Sequence, residues 1–312
     1  MRFSNLHTIA AATLLSLAGA SAQTKLLVSN DDGWAVANIR AFFNALDAAG
    51  FPLVMSAPAD NESGTGSSDS PAKTVGSGGC EFSSCPAGAP AEGFNSTDRR
   101  LNYVNSFPVT SVKFGIQTLA PKFFSGANPD LVVAGPNVGN NLGSTVLVSG
   151  TVGAATEAAK EGIPSIAFSG KSGSQVSYTT LSKLSTSTTA ANVYAALSVK
   201  LTQALLAQPF NASSPILPAG ISLNVNYPSS TGSCTTASAF KFVLTRINSA
   251  SSSTPPDVNT CGTTRLPTES SIVARSGCLS SVSVMNASNK GDVSAATQQF
   301  VLQRLGSILS CA

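Results

Sequence analysis

The chain contains a single histidine, His7, among 312 residues. A Ser–His–Asp hydrolase needs an imidazole as its general base, and His-ligated zinc hydrolases need one as a ligand. No G-x-S-x-G segment, the usual setting of a nucleophilic serine, occurs either. Because His7 falls within a predicted leader, these routes to catalysis are excluded for the rest of the chain.

Charged residues are also few: they make up 11% of the chain, and the net charge is +3. No basic cluster predicts binding to a nucleic-acid polymer or to an anionic membrane surface. Beyond the first 22 residues, no apolar run approaches the roughly 20 residues that a membrane-spanning helix needs. We therefore expect neither a nucleic-acid nor a membrane partner.

Residues 1–22 have the pattern of a secretory signal peptide. Arg2 supplies the positive charge, "TIAAATLLSLAGA" the apolar segment, and "ASA" a cleavage site of small residues. We expect a mature chain that begins near Gln23 and is secreted.

Six cysteines follow the predicted leader, an even number that favours disulfides in an oxidising compartment. Six cysteines allow about 15 pairings; pairing of sequence neighbours predicts 80–85, 234–261 and 278–311. No C-x-x-C pair favours a zinc site. N-x-S/T sequons, which are candidate glycosylation sites, occur at Asn61, Asn95, Asn211 and Asn286.

From residue 25 onwards, short apolar strands alternate with amphipathic helices. This alternation predicts an α/β protein with a mostly parallel sheet that is covered by helices. We expect a core at 23–228, with a disulfide-pinned excursion at 70–105. The cysteine-containing region 229–312 would complete or wrap that core.

Polar loops follow three of the predicted strands: "NDDG", "DNESG" and "GPNVGNNLG". Ligands of open parallel sheets bind beyond the carboxyl ends of the strands, where Asp31, Asp32, Asn137 and either Ser63 or Asp60 could converge. Such oxygens suit Mg²⁺ or Mn²⁺, with Ca²⁺ also possible. Each loop alone is equally compatible with an ordinary turn, so the prediction depends on all three together.

Ser149, Gly150 and Thr151 precede a strongly predicted helix. Free N–H groups and the helix dipole at such a terminus can bind an anion, although Ser149 could also be a simple N-cap. The segment "SGKSGS" is not a P-loop, because Ser165 stands where that motif needs its first glycine.

The segments "LLVSNDDG", "APADNESG" and "DLVVAGPNVGNNLGSTVLVSGTVGAATEAAKEGIPSIAFS" together resemble the SurE (survival protein E) family of metal-dependent phosphatases and nucleotidases. The resemblance covers roughly residues 25–170 and implies a Rossmann-like, three-layer α/β fold. It also implies that the metal ligands are Asp31, Asp32, Ser63 and Asn137. It implies that phosphate is bound by Asn141, Ser149, Gly150 and Thr151. It also implies hydrolysis of small phosphomonoesters, and a possible homodimer. The segment "WAVANIR" and Glu62 depart from the family pattern.

The sequence thus predicts a secreted phosphoric monoester hydrolase, of the 5′/3′-nucleotidase or acid phosphatase type, with Asp31, Asp32 and Asn137 as catalytic residues. A metal would activate water, and one of the two aspartates could accept its proton. The alternative is a secreted phosphate- or nucleotide-binding protein without catalysis. A glycosidase is excluded, because neighbouring residues rarely hold their carboxyls roughly 5 to 9 Å apart across a sugar.

Overall fold

The protein, described here by a computed structural model of residues 23–312, contains nine strands and seven α-helices in that range. The strands are β1 Leu26–Ser29, β2 Leu53–Pro58, β3 Glu92–Phe94, β4 Leu101–Val104, β5 Leu131–Val138, β6 Ser165–Gly170, β7 Ile221–Tyr227, β8 Lys241–Thr245 and β9 Leu279–Asn286. The helices are α1 Ala37–Ala48, α2 Pro108–Phe114, α3 Ala120–Phe123, α4 Gly150–Lys160, α5 Thr186–Leu206, α6 Glu269–Val273 and α7 Ala295–Leu305. The predicted signal peptide, residues 1–22, lies outside the described residues.

The nine strands form one sheet in the order β3-β4-β2-β1-β5-β6-β7-β9-β8. Six neighbouring strands of this sheet are parallel to one another, namely β4, β2, β1, β5, β6 and β7. At the edges, β3 is antiparallel to β4, β9 is antiparallel to β7, and β8 is parallel to β9. The prediction of a mostly parallel α/β sheet is confirmed.

Helices cover both faces of the sheet, because the central strands are apolar on both sides. All four residues of β1 are buried, as expected for a strand between two helical layers. On one face, Phe42 of α1 packs edge-on against Phe168, and Tyr194 of α5 stacks on Tyr227. On the other face, α2 and α4 bury Val112 and Val152. Within residues 23–312, no helix has both the length and the apolar character to cross a bilayer.

The direction of chain progression reverses between β1 and β5. From β1 the chain continues to β2 and β4 on one side, and it returns to β5, β6 and β7 on the other. In doubly wound folds, ligands bind in the crevice at such a switch point. The loops after β1 and β5 therefore occupy the position expected of a site.

Strand β5 includes the first four residues of the segment "GPNVGNNLG", which was predicted as a loop. The peptide between Gly135 and Pro136 is cis, and the pairing with β6 shifts register between Ala134 and Asn137. Asn137 is therefore held by the sheet rather than by a free loop. Helix α2 ends at Phe114 and continues as a π-helical turn over Gly115–Leu119.

Two regions contain more structure than their composition indicated. The excursion at 70–105 contributes β3 and β4 to the sheet, and the C-terminal region contributes β8 and β9. Both regions are rich in glycine, serine or threonine, which masks the periodicity of short strands.

The predicted disulfide Cys80–Cys85 is confirmed. The other two predicted pairings are wrong, since the bonds are Cys234–Cys278 and Cys261–Cys311. Cys278 directly precedes β9, which pairs with β8, and this pairing brings Cys234 to it. The C-terminal segment lies along β8, where the Ser310 N–H donates to the Phe242 carbonyl over 2.8 Å, so Cys311 is drawn towards Cys261.

Candidate metal and phosphate site

A tight turn after β1 buries two adjacent carboxyl groups. Asn30 closes this turn: its Nδ2 donates to the Gly33 carbonyl over 2.9 Å, and its Oδ1 accepts from the Gly33 N–H over 3.3 Å. Gly33 has φ +112°, a conformation that L side chains rarely adopt. Asp31 and Asp32 are 2% and 0% exposed. The turn thus presents both carboxyls to the interior of the crevice.

The two carboxyls have different partners. Asp32 accepts from the Val138 N–H over 2.8 Å and from Gln175 Nε2 over 2.6 Å. Asp31 accepts from the hydroxyl of Thr151, in the first turn of α4. Asp32 therefore lies beside the end of β5, and Asp31 faces the start of α4.

The electrostatic environment of the pair favours a bound cation. Burial raises the pKa of Asp31. Burial also raises the pKa of Asp32 well above its usual value, and the neighbouring charge of Asp31 raises it further. In the part of the chain that the structure describes, no lysine or arginine forms an ion pair with either carboxyl. A buried pair of carboxylates is costly unless a counter-charge compensates it.

Asn137 supplies an unused oxygen next to this pair. Its Nδ2 donates to the Gly139 carbonyl over 2.8 Å, whereas its buried Oδ1 has no hydrogen-bond partner. An unsatisfied buried acceptor costs about 1–3 kcal/mol, and a cation would satisfy it. Among residues 23–312, no cluster of three or more His, Cys, Asp or Glu could hold a metal, so neutral oxygens must complete any site here. Two carboxylates and an amide oxygen fit a hard divalent cation.

Ser63, the fourth predicted ligand, is connected to the pair indirectly. Its exposed hydroxyl donates to Asn61 Oδ1 over 2.7 Å. Asn61 Nδ2 in turn donates to Gln175 Oε1 over 2.9 Å, and Gln175 bonds Asp32. The backbone N–H of Glu62 donates to the Asp31 carbonyl over 2.7 Å. The loop after β2 thus lies beside the turn, but the Ser63 hydroxyl bonds Asn61 rather than a carboxylate, and its role as a ligand stays a prediction.

The start of helix α4 packs directly on Asp31. A Cβ atom added to Gly150 would lie 2.8 Å from the Cβ of Asp31, so only glycine fits there. Ser149 is the N-cap of α4, and its hydroxyl accepts from the Val152 N–H over 3.1 Å. The Ser149 side chain thus has the simple capping role, while Gly150 and Thr151 bring the positive end of the helix dipole to the carboxyl pair.

Asn141, a predicted phosphate-binding residue, is buried in a polar network. Its backbone N–H donates to Asn226 Oδ1 over 2.8 Å, and its Nδ2 donates to Ser169 Oγ over 2.9 Å. Ser169 is the β6 residue paired with Asn137. Asn224 Nδ2 donates both to the Asn141 carbonyl and to Glu269, each over 2.9 Å. Asn141 therefore lies close to Asn137, on a loop that is held by hydrogen bonds to side chains of β7.

Sequence reasoning missed Gln175, which contacts Asp32 directly. Gln175 follows β6 in the segment "SGKSGSQ". Since β6 neighbours β5, the loops that follow both strands share one edge of the sheet. The strand order, which no motif in the sequence reveals, therefore brings Gln175 to Asp32.

Comparisons with known proteins agree with this fold. The family model "Survival protein SurE" matches residues 26–254. The crystal structure of the SurE protein from Aquifex aeolicus aligns with a TM-score of 0.57 at 24% identity, covering 84% of this chain and 93% of that one. That likeness is one of fold.

Among sequence relatives, an acid phosphatase of Yarrowia lipolytica is 40% identical over 223 residues, or 69% of this chain. A 5′-nucleotidase SurE of Gloeobacter violaceus is 41% identical over 145 residues, or 46% of this chain. The matched region spans 61% of the first relative and 49% of the second. Because this family model matches most of the length of the chain, the chain belongs to the SurE family.

Proposed function

We propose that the protein is a secreted, metal-dependent phosphomonoesterase that hydrolyses nucleoside monophosphates or other small phosphate esters. The observation that carries the proposal is the unpartnered Oδ1 of buried Asn137, beside Asp31 and Asp32 and next to the N-terminus of α4. The names of the relatives, acid phosphatase and 5′-nucleotidase, support the reaction class. SurE proteins generally depend on a divalent metal.

Asp31, Asp32 and Asn137 would hold the cation, with Ser63 as the proposed fourth ligand. This donor set suits Mg²⁺ or Mn²⁺, and Ca²⁺ is also compatible with it. When bound, a divalent cation neutralises charge on a phosphoryl oxygen and lowers the pKa of water.

The protein's own groups would position the ester. The N–H groups at the start of α4, at Gly150 and Thr151, would orient the phosphoryl oxygens next to the carboxyl pair. Val138 and Gln175 hold the Asp32 carboxyl in one orientation. One of the two aspartates would accept the proton of the attacking water. Burial of the pair keeps these interactions away from bulk solvent.

The proposal also includes secretion of the protein and its possible assembly into a homodimer. Three disulfides, with no free cysteine among the described residues, support folding in an oxidising compartment. The SurE resemblance supports self-association. Size-exclusion chromatography with light scattering, on protein collected from the culture medium, tests both points.

A substrate panel on the purified protein tests the reaction. Nucleoside monophosphates, sugar phosphates and an aryl phosphate are assayed with Mg²⁺ or Mn²⁺ and again with EDTA. We expect EDTA or Asp32→Ala to lower turnover by at least about 1000-fold, because EDTA removes the cation that stabilises the transition state and Asp32→Ala removes one of its proposed ligands. Asp69→Asn, which removes an exposed carboxylate paired with Lys113, is the matched control and should stay within about twofold.

Turnover that survives EDTA, or Asp32→Ala activity within about tenfold of wild type, would contradict the mechanism. Nucleotide or phosphate binding without hydrolysis at any pH or metal supplement would instead favour the alternative, a binding protein that keeps the fold.

A further inference from the structure

The disulfide loop Cys80–Cys85 lies against the back of the turn that carries Asp31 and Asp32. The Glu81 carboxyl accepts from the Ala35 N–H over 3.2 Å. A Cβ atom on Gly33 would overlap this same carboxyl group. The loop therefore touches the residue that directly follows Asp32.

A second contact of the loop involves the only tryptophan of the chain. Trp34 Nε1 donates to Ser84 Oγ over 2.8 Å, and this hydroxyl donates to the Glu81 carbonyl over 2.7 Å. The Trp34 side chain is 2% exposed and packs on Tyr103 with 5.1 Å between ring centroids. Trp34 is thus fixed from one side by the sheet and from the other by the disulfide loop.

The loop has a conformation that needs support. Phe82 and Ser83 have φ values of 53° and 55°, in the left-handed region that residues other than glycine rarely adopt. The Cys80 N–H donates to the Cys85 carbonyl over 3.1 Å, and the disulfide joins the same two residues. The bond therefore holds closed the loop that presents Glu81.

The Glu81 carboxyl is largely withdrawn from solvent, and this burial raises its pKa to about 8. Whether protonated or ionised, the group has an oxygen that can accept from the Ala35 N–H. Without this acceptor, a largely buried N–H would lose its partner, and a gap would open beside Gly33. The turn could then relax, and the directions of the two carboxyls would change with it.

We propose that Glu81 is a positioning residue for the metal site, and that the Cys80–Cys85 disulfide holds it against the Asp31–Asp32 turn. The inference rests on the proposed function, since it assumes that this turn holds the cation. Glu81 acts through the backbone at Gly33 and Ala35 rather than on the substrate. The excursion at 70–105 thereby contributes to the site.

Binding of Mn²⁺ to the full-length protein, measured by electron paramagnetic resonance, tests the inference without substrate. We expect Glu81→Ala and the double variant Cys80→Ser/Cys85→Ser to weaken Mn²⁺ binding at least about tenfold, as loss of supporting contacts around metal ligands does. Glu81→Gln should stay within about threefold, because its amide oxygen can accept the same N–H. Trp34 fluorescence should shift to longer wavelength in the double cysteine variant, since its partner Ser84 is released.

The matched control is Cys234→Ser/Cys278→Ser, which removes a disulfide four strands away from β1. This variant should lose thermal stability but keep Mn²⁺ affinity. Equal Mn²⁺ affinity in wild type and Glu81→Ala, or equal losses in both cysteine variants, would overturn the inference alone. A wild-type protein that binds no Mn²⁺ would overturn the proposed function, and the inference with it.

Discussion

At the scale of single residues, the adjacent aspartates divide between two parts of the fold. Asp31 contacts the start of α4 through Thr151, whereas Asp32 contacts the end of β5 through Val138. Together with the free oxygen of Asn137, the two carboxyls would hold a divalent cation. Its charge would offset the repulsion between two neighbouring buried acids.

The fourth ligand is open to a direct test, because Ser63 and Asp60 share one loop. Ser63→Ala should lower kcat/KM for an aryl phosphate by about tenfold or more at subsaturating Mg²⁺, since it would remove the oxygen proposed as the fourth ligand. Asp60→Asn, three residues earlier and partly exposed, should remain within about twofold. A larger loss for Asp60→Asn would assign the fourth ligand to Asp60.

At the scale of secondary-structure elements, the C-terminal region supports the loop after β5. Glu269, at the start of α6, accepts from the Gly143 N–H over 2.7 Å, from Asn224 of β7 and from Ser283 of β9. Asn224 also donates to the Asn141 carbonyl. The "GNNLG" loop is thus held by strands that lie more than 80 residues away in the sequence.

Glu269 should make stability depend on pH. Its burial, with a smaller effect of Asp292, raises its pKa from 4.5 to about 7. The folded protein therefore binds this proton more tightly than the unfolded chain does. The stabilisation is complete below about pH 4.5 and is lost as pH rises to about 7, a change on the order of 3 kcal/mol.

Urea unfolding of wild type and Glu269→Gln at several pH values measures this effect. The unfolding free energy of wild type minus that of the variant should fall as pH rises from 4.5 to 7, while other acids, present in both proteins, cancel. A difference that stays constant over this range would contradict the assignment.

At the scale of the whole molecule, one sheet joins the site to a disulfide-bonded edge. The switch point lies between β1 and β5, and β9 lies four places from β1, or about 19 Å at the usual strand spacing. Two of the three disulfides, Cys234–Cys278 and Cys261–Cys311, belong to this edge. We infer that they stabilise the fold, whereas Cys80–Cys85 serves the site.

Removal of Cys234–Cys278 tests this division. The bond closes a loop with a sequence separation of 44, so Cys234→Ser/Cys278→Ser should lower the unfolding free energy by about 4 kcal/mol in the chain-entropy model. Turnover at 25 °C should remain within about twofold, because the bond lies four strands from the carboxyl pair. Urea denaturation and kinetics on the same preparation check both, and a loss of turnover without a loss of stability would contradict the division.

Much of the fold and part of the site could be predicted from local patterns. The apolar strands, the helix after Gly150 and the "NDDG" turn each depend on residues a few positions apart. The same limitation explains the errors: half of the residues of β9 are polar, and β8 joins the sheet only through β9, which itself pairs with β7. Likewise, sequence proximity gave one correct disulfide, within five residues, and two incorrect long-range pairings.

The sequence by itself determined the α/β class, the family resemblance and the candidate oxygens at 31, 32 and 137, because each depends on a short segment read in order. Only the tertiary structure decided which side chains support those oxygens. Glu81 and Gln175 contact the turn from 46 and 143 residues away, respectively. Such contacts follow from the strand order and from the disulfide loop, which bring distant segments together, and no local pattern of residues encodes them.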